Sequence, residues 1–184
     1  TKRQITVTPS AGQSKTYGAT EPVFAYSSSE TGATFTGALA RETGDNVGTY
    51  AYTLGSLSAG TNYTLTLNNN ADKFKITAKD ASALNAALSV TSYVYDGAAK
   101  EPAVTITDGK TTLVKGVDYT VAYSNNKDAG TAKTAVTCTG NYSGNKELTF
   151  TITAKDASSL NAALSVTSYV YDGAAKEPAV TITD

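Results

Sequence analysis

The chain has 184 residues and a formal net charge of −1, with Lys and Arg interspersed among Asp and Glu. No basic patch is available to neutralise phosphates, which argues against nucleic-acid binding, and no apolar run approaches the ~18 residues that a membrane-spanning helix needs. With no histidine and one cysteine, Cys138, the chain cannot build an intrachain disulfide, a Cys–His or Ser–His pair, or a zinc site.

Short alternating runs follow one another along the chain. Ile5 and Val7 alternate with Thr6 and Thr8, and Phe24 and Tyr26 follow Pro22. Tyr50, Tyr52 and Leu54 share a face, as do Tyr63, Leu65 and Leu67, and Phe74 and Ile76 close the first unit. Asp80–Leu88 is the one stretch with helical potential; it reads as a linker with a single helical turn capped by Asp80. Leu88 and Val90 lie on one phase and Tyr93 and Tyr95 on the other, so a bulge or a break is predicted across Thr91–Ser92. Val104 and Ile106 follow, then Tyr119, Val121 and Tyr123. Ala132, Thr134, Val136 and Cys138 share one phase, which makes the cysteine a buried small apolar side chain rather than a reactive thiol. Leu148, Phe150 and Ile152 form the last run. Period-2 alternation with Thr on the opposite face indicates sheets with one face buried. Closely spaced strands with Gly, Asn and Asp turns between them indicate a sandwich or a barrel.

Residues 79–108 return 76 positions later as residues 155–184, with Ala83 against Ser159 as the one difference. A fixed period of this kind decides architecture. The first 78 residues are a diverged cousin. Tyr17-Gly18 with Glu21-Pro22 answers to Tyr95-Asp96-Gly97 with Glu101-Pro102. Gly48-Thr49 answers to Gly130-Thr131, Asn62-Tyr63 to Asn141-Tyr142, and Ile76–Asp80 to Ile152–Asp156. The expected fold class is all-β, with tandem small β-sandwich modules placed end to end. The expected modules are 1–78, 79–154, and a truncated third over 155–184. A module this small buries ~60% of its unfolded surface, a marginal but sufficient core.

The landmarks of the first unit, TYG with EPVFAY, then VGTY, NYTL and FKIT, resemble the MBG class of bacterial surface repeat domains. Those of the second, YDGAAKEPAVTITD, LVKGVDYTVAYSNN, AGTA and GNYSG, resemble the related YDG-type and bacterial immunoglobulin-like repeats. The resemblance spans essentially the whole chain. It implies immunoglobulin-like β-sandwiches strung along large secreted or cell-surface proteins, often adhesins, and it carries no catalytic residue.

No catalytic, cofactor-binding or metal-binding residue is assigned from the sequence. In Tyr95-Asp96-Gly97, Gly supplies positive φ and Asp favours the turn. Asn62-Tyr63 and Asn141-Tyr142 read as turn-and-packing positions, suited to a tyrosine corner whose hydroxyl bonds back to the backbone. The triplets Asn62-Tyr63-Thr64 and Asn141-Tyr142-Ser143 match the glycosylation pattern by chance in a bacterial protein. The clusters Asp45-Asn46, Asn68-Asn69-Asn70 with Asp72, and Asn125-Asn126 with Asp128 lack the spacing of a calcium loop and read as turns. Lys110, Lys127 and Lys146 fall in turns or on polar phases.

The expected role is that of a non-catalytic stalk or spacer in a bacterial cell-surface or secreted repeat protein. The rival reading is a module that binds a glycan or a surface protein through exposed Tyr residues, and a third is an accessory domain of a secreted polysaccharide-degrading enzyme. An exposed aromatic platform would favour binding, and a smooth Thr/Ala/Ser face the spacer. Residues 156–184 alone would expose Leu164, Val166, Val180 and Ile182 and open strand edges. This predicts self-association through 155–184, either by exchange for residues 79–108 of another chain or by addition to a sheet edge.

Overall fold

The computed structural model describes residues 1–68 and 72–184, which fold as short strands in several small sheets joined by turns and two single 3-10 turns. By contact the chain divides into two compact units, each assembled from three stretches of sequence. The 76-residue sequence period and the contact units are therefore two different partitions of the chain.

The first unit comprises Thr1–Ala87, Thr105–Val121 and Ala135–Lys146. The strand Arg3–Pro9 buries Ile5, Val7 and Pro9 on one side, as its alternation dictates. It pairs antiparallel with Tyr26–Ser28 and parallel with Tyr63–Leu67, in the register Arg3↔Tyr63 to Val7↔Leu67. A second sheet runs Ser14–Thr16, Phe74–Thr77, Gly48–Tyr50, with the first pair parallel and the second antiparallel. The core contains Val7, Phe24, Leu39, Tyr52, Leu57, Phe74 and Ile76. At its centre the rings of Phe24, Tyr52 and Phe74 meet edge to face, with centroids 5.0, 5.4 and 6.4 Å apart. Each buried side chain of this size contributes about 1.5–3 kcal/mol, and each ring pair about 0.5–1.5 kcal/mol more.

The run Tyr50, Tyr52, Leu54 is not one strand. It breaks at Ala51, and Tyr52–Thr53 turns to pair with Ala40–Arg41 instead. All three side chains still face the core, so the pattern located the buried face but not the change of sheet.

The predicted turn after Ala78 is a 3-10 turn over Ala81–Ala83. Asp80 caps it by accepting from Ser82 N at 2.8 Å, and Leu84 ends it in an extended conformation. Lys146 departs from its expected polar phase. It is half-buried, and its Nζ donates to the carbonyls of Ala81 and Leu84. Ala81 O also accepts from Leu84 N at 3.1 Å within the turn, and the lysine adds a charged donor to both carbonyls.

The second unit comprises Leu88–Val104, Ala122–Thr134 and Glu147–Asp184. Its cluster of Ala132, Phe150 and Ile152 is flanked by Leu88, Tyr93, Tyr95 and Tyr123. The predicted break across Thr91–Ser92 separates the strand Asn85–Leu88 from Ser92–Val94. The latter pairs parallel with the strand Asn145–Thr153, in the register Ser92↔Thr151 to Val94↔Thr153. Val90 shares the phase of Leu88 but is exposed, because it lies beyond the end of that strand. Along Gly130–Cys138 the side chains of Ala132, Thr134, Val136 and Cys138 are all buried and those between them exposed.

Residues 155–184 repeat part of this pattern. Asp156 caps the 3-10 turn Ala157–Ser159, and Asn161–Leu164 pairs antiparallel with Val180–Thr183. The identical Ser92–Val94 and Ser168–Val170 differ, however: the first is a strand and the second is not.

Candidate functional site

The most heavily bonded polar centre in the described residues surrounds Arg41, whose side chain is 8% exposed. Its Nε donates to Glu21 Oε1 at 2.5 Å and its Nη2 to Glu21 Oε2 at 3.0 Å. Nη1 donates to the carbonyls of Glu42 at 3.0 Å and Gly44 at 2.6 Å. The guanidinium lies 4.7 Å from the Tyr50 ring centre and 5.4 Å from that of Phe74. Lys15 Nζ adds a second cation 2.6 Å from Glu21 Oε2. The hydrogen bond from Arg41 holds the Glu21 carboxyl at about 2, well below its ordinary 4.5, with partial burial opposing and Lys15 assisting. Gly44 makes this fit possible. At φ +140° it is in a region that L side chains rarely adopt, and a Cβ there would stand 2.5 Å from the Tyr50 ring.

A groove of about 490 Å³ opens beside this pair, lined by Glu21–Phe24 and Ala38–Asp45. Arg41 spends its donors on Glu21 and on two carbonyls, so the arrangement is a clamp holding the Ala40–Arg41 strand to the Glu21-Pro22 turn. Glu21 stands out in the sequence only as part of the Glu-Pro repeat landmark, and Arg41 not at all. A pair twenty positions apart in two turn-like stretches leaves no periodic trace.

The aromatic-Gly turn is common to all three repeats. Gly18, Gly97 and Gly173 have φ of 77°, 79° and 76°, the left-handed region where glycine carries no Cβ penalty. In Tyr95-Asp96-Gly97 the aspartate Oδ1 accepts from Ala98 N at 2.9 Å, and Oδ2 accepts from Lys100 Nζ at 2.5 Å. Asp172 makes the same two bonds to Ala174 N and Lys176 Nζ. The tyrosine before the turn also has a constant place: Tyr17 N donates to Thr77 O, and Tyr95 N to Thr153 O, both at 2.8 Å.

The Asn-Tyr pairs do more than turn the chain. Arg3 N donates to Asn62 O and Lys79 N to Asn141 O, each at 3.0 Å. Asn141 Oδ1 accepts from Val47 N at 2.8 Å, and its Nδ2 donates to Asn46 Oδ1 at 2.9 Å. The buried Tyr142 ring meets Tyr17 edge to face at 5.5 Å. Burial, and then the neighbouring Asp108 carboxylate, push its hydroxyl up to about 12. Hydroxyls that bond to backbone belong to other tyrosines: Tyr50 donates to Asn46 O at 2.7 Å and Tyr123 to Pro102 O at 2.6 Å. One cation–carboxylate pair recurs in each repeat, as Arg3–Glu30, Lys79–Asp108 and Lys155–Asp184.

Cys138 is buried, and burial pushes its thiol up, with Lys146 opposing and Asp80 and Asp118 adding to the rise. A thiol in that state is a poor nucleophile. Among the described residues no three His, Cys, Asp or Glu side chains converge as a metal cluster would. Of the amide-rich clusters, Asn69 and Asn70 lie outside the described residues. No helix in the described residues is long and apolar enough to cross a membrane.

Every Tyr and Phe up to residue 154 is at least partly buried. The exposed rings are Tyr169 and Tyr171, at 46% and 92%.

The chain is thus an all-β protein of several small sheets, with a Tyr-Gly turn and an Asn-Tyr pair recurring along it. Residues 5–73 match the MBG domain of the YGX type, and the matched range includes Tyr17-Gly18-Ala19. The first repeat is thus an MBG-type domain. No curated protein and no solved structure matches the chain.

Proposed function

We propose that the chain is a run of spacer repeats in a bacterial cell-surface or secreted protein, that each repeat is a small immunoglobulin-like sandwich, and that its role is mechanical and non-catalytic. The supporting observation is the inward direction of the aromatic side chains through residue 154, which leaves Thr, Ser, Lys and Ala as the common outward residues. A ligand-binding platform needs exposed rings. The test is replacement. In the parent protein, residues 1–184 are exchanged for unrelated β-sandwich domains of the same end-to-end length. Display and activity of the distal part persist if these repeats are a spacer, and their loss would overturn the reading.

A second reading rests on Tyr169 and Tyr171. Two exposed rings two residues apart suit a glycan or a protein surface. Glycan-array binding by the chain that disappears in a Tyr169→Ala, Tyr171→Ala variant would select it over the spacer.

A further inference from the structure

Each of the first two repeats carries a strand pair that matches the other bond for bond. In the first, Ser14–Thr16 lies parallel to Phe74–Thr77, with Lys15 opposite Ile76. In the second, Ser92–Val94 lies parallel to the end of Asn145–Thr153, with Tyr93 opposite Ile152. Lys75 N donates to Gln13 O at 3.2 Å, and Thr151 N to Thr91 O at 3.0 Å. Tyr17 N donates to Thr77 O and Tyr95 N to Thr153 O, both at 2.8 Å. A threonine hydroxyl closes each pair: Thr77 Oγ1 donates to Lys15 O at 3.2 Å, and Thr153 Oγ1 to Tyr93 O at 3.1 Å. Ile76 and Ile152, 0% and 1% exposed, back the two pairs and keep water from one face.

The place of these strands in the chain decides how they carry tension. Phe74–Thr77 is the last strand of its repeat, and Ala78 alone separates it from Lys79–Asp80 of the next. Thr153 likewise ends its repeat and leads through Ala154 into Lys155. The partner strand is the one that precedes the Tyr-Gly turn, near the entry to the repeat. Among the described residues it is an edge strand, bonded on one side only. Tension along the chain therefore pulls the upstream end of one strand and the downstream end of the other. In a parallel pair those two ends lie at opposite extremes, so the strands must slide past each other and every bond is loaded together. In an antiparallel pair they lie at the same extreme, and the bonds open one at a time. The entry strands have the parallel geometry too, Arg3–Pro9 with Tyr63–Leu67 and Lys79–Asp80 with Tyr142–Ser143.

We infer that the pairs Ser14–Thr16 with Phe74–Thr77 and Ser92–Val94 with Asn145–Thr153 are shear clamps, which make each repeat a load-bearing element. Ordinary stability does not call for this arrangement, since parallel pairing is slightly the weaker per residue. What it adds is resistance along one axis, the one that joins the entry of a repeat to its exit. Lifetime under tension is set by the barrier to unfolding, and bonds that break on the way to that barrier raise it. The use of the clamps rests on the mechanical reading above; the clamps themselves rest on strand direction and bonding.

The test is constant-force unfolding of the full chain held at its two ends. Thr77→Val and Thr153→Val each remove one clamp hydroxyl and keep the shape of the side chain. Each should shorten the lifetime of one unfolding event about fivefold, the effect of one net hydrogen bond on the barrier. Thr153→Ser keeps the hydroxyl and should keep the lifetime. Ile106→Val lowers equilibrium stability through a core contact on another strand, Val104–Asp108. It should change the lifetime under force by less than about twofold, because that contact persists at the barrier. Unchanged lifetimes in both valine variants would overturn the proposal, as would an equal shortening by Ile106→Val. Loss of display in the replacement experiment, with the clamps intact under force, would overturn the spacer reading alone.

Discussion

Arg41 and Glu21, twenty residues apart, are joined by two hydrogen bonds at 2.5 and 3.0 Å, with the guanidinium stacked on Tyr50 and Phe74. The pair ties the Glu-Pro turn to a short strand, and it gives the domain an acid-sensitive fastening.

Folding lowers the Glu21 carboxyl from 4.5 to about 2. The folded state therefore binds the proton less tightly than the unfolded state does. The stabilisation is complete above pH ~4.5 and is lost as pH falls towards ~2. Because the Glu21 side chain is 38% exposed, solvent screening reduces its worth to about 1 kcal/mol. Urea denaturation between pH 2 and 6 should show this loss, and Glu21→Gln should flatten the profile by about that amount.

Thr134 is fully buried on the face shared by Ala132, Val136 and Cys138, and its Oγ1 has no hydrogen-bond partner. An unsatisfied buried hydroxyl costs about 1–3 kcal/mol, and a methyl of similar shape removes that cost. Thr134→Val should stabilise the protein by about 1 kcal/mol, read as a higher urea midpoint at unchanged slope.

Asn141 and Asn62 occupy the same position in successive repeats, but the Asn141 side chain alone bonds across to Asn46 and Val47. Asn141→Ala should cost about 1 kcal/mol. Asn62→Ala should stay within about 0.5 kcal/mol. Paired denaturation curves of the two variants measure the worth of the Asn46–Val47 contact.

The two copies of the thirty-residue segment should differ in hydrogen exchange. Tyr95 N–H, one residue past the strand Ser92–Val94, is bonded to Thr153 O at the end of a four-stranded sheet. Tyr171 occupies the same sequence position after Ser168–Val170, which is not a strand. Tyr95 should exchange more slowly by about a hundredfold or more, in keeping with the spread of local stabilities within one chain. Resolved amide exchange by NMR measures the ratio.

Much of this fold is legible in the sequence. The alternation along Ala132–Cys138 marked its buried face, and Asp80 marked its cap. The Tyr-Asp-Gly turn forms identically at 95–97 and 171–173 because its bonds lie within five residues. What stayed hidden is non-local. Alternation identifies a face but no partner, so the parallel pairings and the break at Ala51 could not be read. Ser92–Val94 and Ser168–Val170 make the point directly: with identical sequence, a strand exists where residues 151–153 supply the second edge. The Arg41 clamp was hidden for the same reason, since charged residues in turn-like stretches look solvated until the chain folds back.

The parallel pairs share one further property. Ile5 with Thr66, Lys15 with Thr77, and Tyr93 with Thr153 are bonded across separations of 61, 62 and 60 residues. A repeat built this way cannot close until its last strand has been made. Loop closure over such a distance precedes the contacts that reward it, which slows folding. A chain that emerges from its N-terminus thus leaves each repeat open, and threadable through a narrow exit, until nearly all of that repeat has passed.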